Sequence, residues 1–267
     1  MERLIKGFIF FFLLLSHSVN AQQKITWPHH KKAVIVLTYD DALASQLKTA
    51  IPQLDAAHFK GTFFLTGMSR DAIPKWRAVS KNGHELANHT LYHPCLSATM
   101  PDNPVNDSQH YTIYGILREI DAQNNFLYAI DGKTTRTYAY PCTETAVGGR
   151  SYVDSLRRSG MIKYARIGGD MDAIITDFKK LDLLLVPSYG LDENASGAKL
   201  IAFVKKAEQS AGMGIFMFHG IGGDYITTPS ASHQELINYL KKHKKTIWVA
   251  TFQQAMDYVK SKQTELK

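Results

Sequence analysis

The run Asn88-His89-Thr90-Leu91-Tyr92-His93 sets two imidazoles four residues apart. On a helical turn such residues project from one side, so the spacing lets both rings converge on one ion. Imidazole is the commonest protein ligand for zinc-like metals. A third ligand must come from elsewhere, and Thr38-Tyr39-Asp40-Asp41, closing a very apolar run, offers it. Two adjacent carboxylates cannot both be helix caps, and holding both ionised in a partly buried place is costly without a cation. Asp41, His89 and His93 therefore read as three ligands to a divalent ion, with coordination positions left open as a catalytic site requires. Zinc suits this set best, and cobalt, nickel or manganese also fit. Asp40, beside a ligand, is placed to accept a proton from water, and His219 to return one to a leaving group. His233, in the first turn of a later helix, is a further candidate for substrate contact.

These residues need elements to position them. Ala33-Val34-Ile35-Val36-Leu37 is an apolar, β-branched run, as expected of a strand covered on both faces. Further strands are expected at 62–66, 84–88, 135–140, 162–167, 183–186, 214–218 and 246–250. Between them lie helical stripes such as Ile113, Ile116, Leu117 and Ile120, or Leu200, Phe203, Val204 and Ala207. Pro52 is expected to kink the first helix. Ser151 reads as a helix cap, and Ser232 to Glu235 and Thr251 to Gln254 as capping boxes. Residues 97–110 read as a surface loop. Strands alternate with helices without a linker, which predicts one α/β domain over 22–267, its parallel strands closed as a barrel inside outer helices. Chemistry in such folds gathers at the C-terminal strand ends, where Asp40, Asp41, His89, His93 and His219 all fall.

Met1 to Lys6 carries two basic residues, an apolar run follows from Gly7 to Leu15, and Val19-Asn20-Ala21 has the small residues a signal peptidase reads. Residues 1–21 are thus expected to be a signal peptide, too short to span a bilayer, which makes the chain exported, secreted or periplasmic, without stable membrane insertion. The formal net charge is +7. Much of the excess is one short run, Lys241-Lys242-His243-Lys244-Lys245, which suits a helix C-terminus. No aromatic residues interleave with it, so nucleic acid is not an expected partner. Two cysteines, Cys95 and Cys142, exclude a disulfide-built scaffold but allow one bridge in an oxidising compartment. Nothing in the sequence sets an oligomeric state.

Thr38-Tyr39-Asp40-Asp41-Ala42, His89-Thr90-Leu91-Tyr92-His93 and Phe216-Met217-Phe218-His219 resemble, in order and spacing, the motifs of the polysaccharide deacetylase family, the NodB-homology group of carbohydrate esterase family 4. The resemblance runs from about Lys32 to Tyr258. It implies a distorted (β/α) barrel and metal-dependent removal of acetyl groups from a carbohydrate partner. It also implies Asp40 as base, Asp41, His89 and His93 as metal ligands, and His219 as acid, in agreement with the reading of the residues themselves. The third motif departs from the family: Ala139-Tyr140-Pro141-Cys142 stands where Arg-x-Pro-Tyr is usual. Arg166, at the end of the fifth expected strand, could replace the missing guanidinium beside Asp40. The Cys142 N–H could still serve an oxyanion, because that role needs no side chain. Tyr92, Tyr140, Tyr189 and Tyr225 are candidates for a sugar-stacking wall. The missing arginine also leaves a rival reading, a non-catalytic glycan-binding or accessory protein on the same barrel.

Overall fold

The computed structural model describes residues 25–265. The expected signal segment, residues 1–21, lies outside them. Elements follow in the order β1 (Ala33–Asp40), α1 (Ile51–Ala56), β2 (Thr62–Leu65), α2 (Ile73–Lys81), β3 (Glu85–Asn88), α3 (Ile113–Asp131), β4 (Thr137–Ala139), β5 (Ala146–Val147), β6 (Arg150–Ser151), α4 (Val153–Ser159), β7 (Tyr164–Arg166), β8 (Tyr189–Gly190), α5 (Gly197–Ser210), β9 (Met213–Phe218), α6 (Ser230–Lys242), β10 (Ile247–Ala250) and α7 (Phe252–Glu265). Apart from the small β5–β6 hairpin, the strands form one parallel sheet in the order β7-β4-β3-β2-β1-β9-β8. The first half of β1 pairs with β10 and its last residues with β2, while β9 runs along its other side. This sheet curls into a distorted half-barrel ringed by helices.

Alternation along the strands decides which side chains enter the barrel. Val34, Val36, Phe64, Ala87, Ala139, Val186 and Ile215 form an interior cluster, whereas Ile35, Leu37, Tyr39, Phe63 and Phe216 pack outward against the helices. Continued to the strand ends, the inward phase carries Asp40, His89, Arg166, Ser188 and His219. Phe252, Met256 and Val259 of α7 pack into the other end of the interior.

Several local expectations are corrected. Leu183 to Val186 is not a regular strand: a turn closed by Asp182 occupies its start, and Pro187 has no N–H to extend a ladder. The segment still joins the two margins of the sheet, bridging β7 at Val186 and pairing with β9 at Tyr189–Gly190. Ser232 to Glu235 is not a capping box, because α6 already starts at Ser230, after Pro229. Tyr152, not Ser151, is the N-cap of α4. Pro52 sits in the first turn of α1, where its missing N–H costs least, and residues Gln46–Ala50 before it form a wider π turn. The box at Thr251 is present: the Gln254 N–H donates to the Thr251 hydroxyl and the Thr251 N–H to the Gln254 side chain.

Candidate active site

The C-terminal strand ends surround a cavity of about 460 Å³ lined by Asp40, Asp41, His89, His93, His219, Tyr140, Cys142 and Tyr225, among others. Asp40 is the last residue of β1 and Asp41 the first beyond it. Asp41 and Ala42 both have left-handed backbone, with φ of 77° and 59°. This turn brings the second carboxylate round to the same cavity as the first, although strand alternation alone would point it away.

His89 and His93 meet without a helix. Thr90 (φ 62°) and His93 (φ 53°) take left-handed conformations, and side chains hold the tight turn. The Asn88 Oδ1 accepts from the Thr90 N–H at 2.7 Å, and the Thr90 hydroxyl accepts from the His93 N–H at 3.0 Å. The helical-turn geometry expected from the spacing is therefore wrong, and the convergence is built by Asn88 and Thr90 instead. A left-handed non-glycine residue costs on the order of 1–3 kcal/mol and persists only where its surroundings impose it. Asp41, Ala42, Thr90, His93, Cys142, Thr143, Asp224 and Ile226 all do so close to this cavity.

The ligand atoms of Asp41, His89 and His93 lie within 4.8 Å of one another. Asp41 Oδ1 is 3.4 Å from Nε2 of both histidines and has no hydrogen-bond partner, although it is buried. The His89 Nδ1–H donates to the Ala139 carbonyl at 2.8 Å, which leaves Nε2 bearing its lone pair toward Asp41. Burial pushes the His89 pKa down to about 3 and lowers that of His93 too, so both rings are neutral, the form that ligates metals. Burial, with Asp40 alongside, raises the Asp41 pKa to about 6. One carboxylate and two neutral imidazoles around an unpartnered buried oxygen fit a divalent cation of the zinc type.

Asp40 differs. Burial works to raise its pKa, but the Arg166 guanidinium, with His89 and His219, outweighs that and holds the carboxyl below its usual range. Arg166 Nη2 donates to Asp40 Oδ2 at 2.5 Å, its Nη1 donates to the Ser188 hydroxyl at 3.1 Å, and the group lies over the Phe64 ring. A guanidinium from β7 thus occupies the neighbourhood that Ala139, on β4, leaves vacant. The other Asp40 oxygen, Oδ1, is buried without a partner. His219 follows β9, with Nε2 3.8 Å from Asp41 Oδ2.

Cys95 and Cys142 are joined in a disulfide, so they offer no thiolate to His93 nearby. The bridge ties the loop after His93 to the segment after β4. Glu144 secures the same loop by accepting from the Leu96 N–H and from the Thr99 and Ser108 hydroxyls. Cys142 and Tyr140 line the cavity, although the Tyr140 ring is almost wholly buried. His233 does not line it. Its Nδ1–H donates to Gln53 Oε1 at 2.5 Å, its Nε2 accepts from the Tyr39 hydroxyl at 2.8 Å, and its ring packs on Phe218. It is a core residue beneath the site rather than a substrate contact. Tyr189 is likewise buried against Phe203 and Phe216. The sequence alone does not point to Ser188, and it points to Tyr225 only as a stacking surface. The Tyr225 hydroxyl donates to Asp41 Oδ2 at 2.9 Å. The only sequence signal for it was its place in the glycine-rich loop after His219.

The fold and the site define a half-barrel whose open end carries a carboxylate and two imidazoles beside a second, arginine-paired carboxylate. The chain belongs to the polysaccharide deacetylase family, which it matches over residues 28–157. It is 28% identical over 113 residues to the peptidoglycan-N-acetylmuramic acid deacetylase PdaA of Bacillus subtilis, a match covering 42% of this chain and 38% of that protein. The crystal structure of a putative polysaccharide deacetylase from Mycobacterium smegmatis is similar in fold, with TM-score 0.65 and 17% identity over 90% of this chain and 94% of that one. So is the peptidoglycan deacetylase PdaC from Bacillus subtilis, with TM-score 0.57 and 17% identity over 89% and 96% of the two chains. A mutant of a CE4 family pseudoenzyme also shares the fold, at TM-score 0.54 and 18% identity over 85% and 67%. The fold by itself therefore does not carry activity.

Proposed function

We propose that this chain is an exported, divalent-cation-dependent hydrolase that removes acetyl groups, N- or O-linked, from a carbohydrate polymer or oligosaccharide. The observation that carries the reading is the unpartnered Asp41 Oδ1, set 3.4 Å from the Nε2 atoms of His89 and His93 beside an arginine-paired Asp40. Asp41, His89 and His93 would hold the cation, most readily zinc, with cobalt, nickel or manganese as alternatives. When bound, it supplies Lewis acidity, which polarises an acyl carbonyl and makes a nearby water more acidic.

The chain's own residues perform the proton transfers. Asp40, kept ionised by Arg166, accepts a proton from the attacking water through its unpartnered Oδ1. Attack on the acetyl carbon breaks the carbonyl π bond, and the Cys142 N–H is at hand for the developing oxyanion. As the C–N or C–O bond breaks, His219 acts as the acid that gives a proton to the departing amine nitrogen or alcohol oxygen. Acetate and a free amine or hydroxyl on the sugar result. Export would follow from the expected signal segment at residues 1–21, and the Cys95–Cys142 disulfide suits an oxidising compartment. Among the described residues no helix is long and apolar enough to cross a membrane.

The test is acetate release from a panel of N- and O-acetylated glycans by the chain as isolated, after chelation, and after zinc is added back. Release that chelation stops and zinc restores is the expected result. No release under any condition, with cation bound, would overturn it in favour of a glycan-binding protein.

A further inference from the structure

Asp41 has two oxygens with different surroundings. Oδ1 faces the two imidazoles without a hydrogen bond, while Oδ2 accepts from Tyr225 at 2.9 Å and lies 3.8 Å from His219 Nε2. Among the described residues, Tyr225 is the only hydrogen-bond donor to this carboxylate. The terminal torsion of an aspartate is broad and roughly two-fold, so a carboxylate without such an anchor can turn either oxygen toward a ligand site. With Oδ2 engaged by Tyr225, the other oxygen is presented between His89 and His93, and His219 is not drawn into Asp41's hydrogen bonding.

The loop that carries Tyr225 is built to hold it there. Gly220 accepts from the Thr228 N–H and donates to the Tyr225 carbonyl, and Gly222 donates to the Thr228 carbonyl. A side chain at Gly220 would collide with the Gly223 carbonyl, at 2.0 Å. The Asp224 carboxylate accepts from the Ser45 N–H at 2.7 Å, and the Ser45 hydroxyl accepts from the Ile221 N–H at 3.0 Å. These bonds fasten the loop to the chain just after Asp41. Ile226 has φ of 44°, an outlier for a β-branched residue. Half of the Tyr225 surface is nevertheless exposed, so the core does not require it.

We infer that Tyr225 is a positioning residue: it orients Asp41 and thereby sets the affinity of the Asp41–His89–His93 site for a divalent cation. The inference rests on the cation reading above. Its test is zinc affinity of the purified chain by calorimetry, together with the visible spectrum of the cobalt-loaded form, for wild type, Tyr225→Phe and Tyr128→Phe. Tyr225→Phe is expected to weaken zinc binding by about tenfold or more, the loss typical when a group that orients a metal ligand is removed. It should also alter the cobalt bands while leaving the cation-free melting temperature unchanged. Tyr128→Phe, exposed on α3 and without a contact to Asp41, should leave affinity and spectrum as in wild type. Equal zinc affinity and identical cobalt spectra for wild type and Tyr225→Phe would overturn the inference with the cation site intact. A wild-type chain that binds no cation would instead overturn the reading on which it rests.

Discussion

The two ends of the barrel treat buried carboxylates in opposite ways. At the start of β3, Glu85 accepts from the hydroxyls of Thr62 and Thr137 and from the Gln253 N–H in the first turn of α7. Burial raises its pKa, the hydrogen bonds oppose that, and neither oxygen is left without a partner. At the other end, Asp40 and Asp41 each keep one buried oxygen unpartnered. The inward phase of neighbouring strands supplies both Glu85, at the start of β3, and Asp40, at the end of β1, so alternation alone does not separate these two. What separates them is unused hydrogen-bonding capacity, together with left-handed backbone at Asp41, Thr90, His93 and Cys142. A buried polar group without a partner is destabilising, and its persistence marks where a ligand is expected. The histidines repeat the lesson: His233 has both ring nitrogens engaged, while His219 Nδ1 has no partner.

The comparison breaks if the two ends respond alike to mutation. His89→Ala removes an imidazole from the Asp41 site and leaves the Ala139 carbonyl unpartnered. It is expected to abolish retention of zinc through gel filtration and to cut acetate release by at least about 100-fold. Glu85→Ala is expected to do the reverse. It strands two hydroxyls and an N–H in the interior, lowering unfolding free energy by about 1–3 kcal/mol for each group left unpaired, read from urea titration. The activity of the folded fraction should be unchanged.

Stability against pH sharpens the contrast further. Burial lowers the His233 pKa from 6.5 to about 3, so below pH 6.5 the unfolded chain binds a proton that the folded one does not. The contribution of neutral His233 is therefore present above pH 6.5 and lost as pH falls toward 3, by up to about 1.4 kcal/mol per unit. His233→Gln, measured in zinc-saturated protein, should flatten that part of the stability profile. An unchanged slope would contradict the buried, neutral assignment. The smallest effect is expected at Thr251→Ala, which removes half of the capping box on α7 and should lower stability by about 1 kcal/mol without altering acetate release.

Much of this was legible in the sequence. The apolar runs ending in Asp40 and Phe218 placed the strands and therefore their ends, and the residue types there suggested the chemistry proposed above. Arg166 was legible as a guanidinium at a strand end that could pair with Asp40; that both share the inward phase is seen only in the structure. The rest was not, for identifiable reasons. Asp41, Thr90 and His93 adopt positive φ without being glycine, so no local signal announced their turns, and His89-x-x-x-His93 imitated a helical spacing. Ser232 to Glu235 carried the capping pattern, yet Pro229 starts the helix earlier and turns His233 into the core. Tyr225 lies 184 residues from the aspartate it touches, in a loop whose shape depends on Ser45 and Asp224. Long-range side-chain contacts of this kind leave no periodicity to read.

The most direct measurement is made on Asp40→Asn, with cation content and acetate release determined on the same sample. If Asp41, His89 and His93 hold the cation and Asp40 accepts the proton, the variant retains one zinc per chain and releases acetate at least about 100-fold more slowly than wild type. Acetate release at the wild-type rate would contradict the assignment of Asp40, and loss of the zinc would contradict the separation of binding from proton transfer on which the account depends.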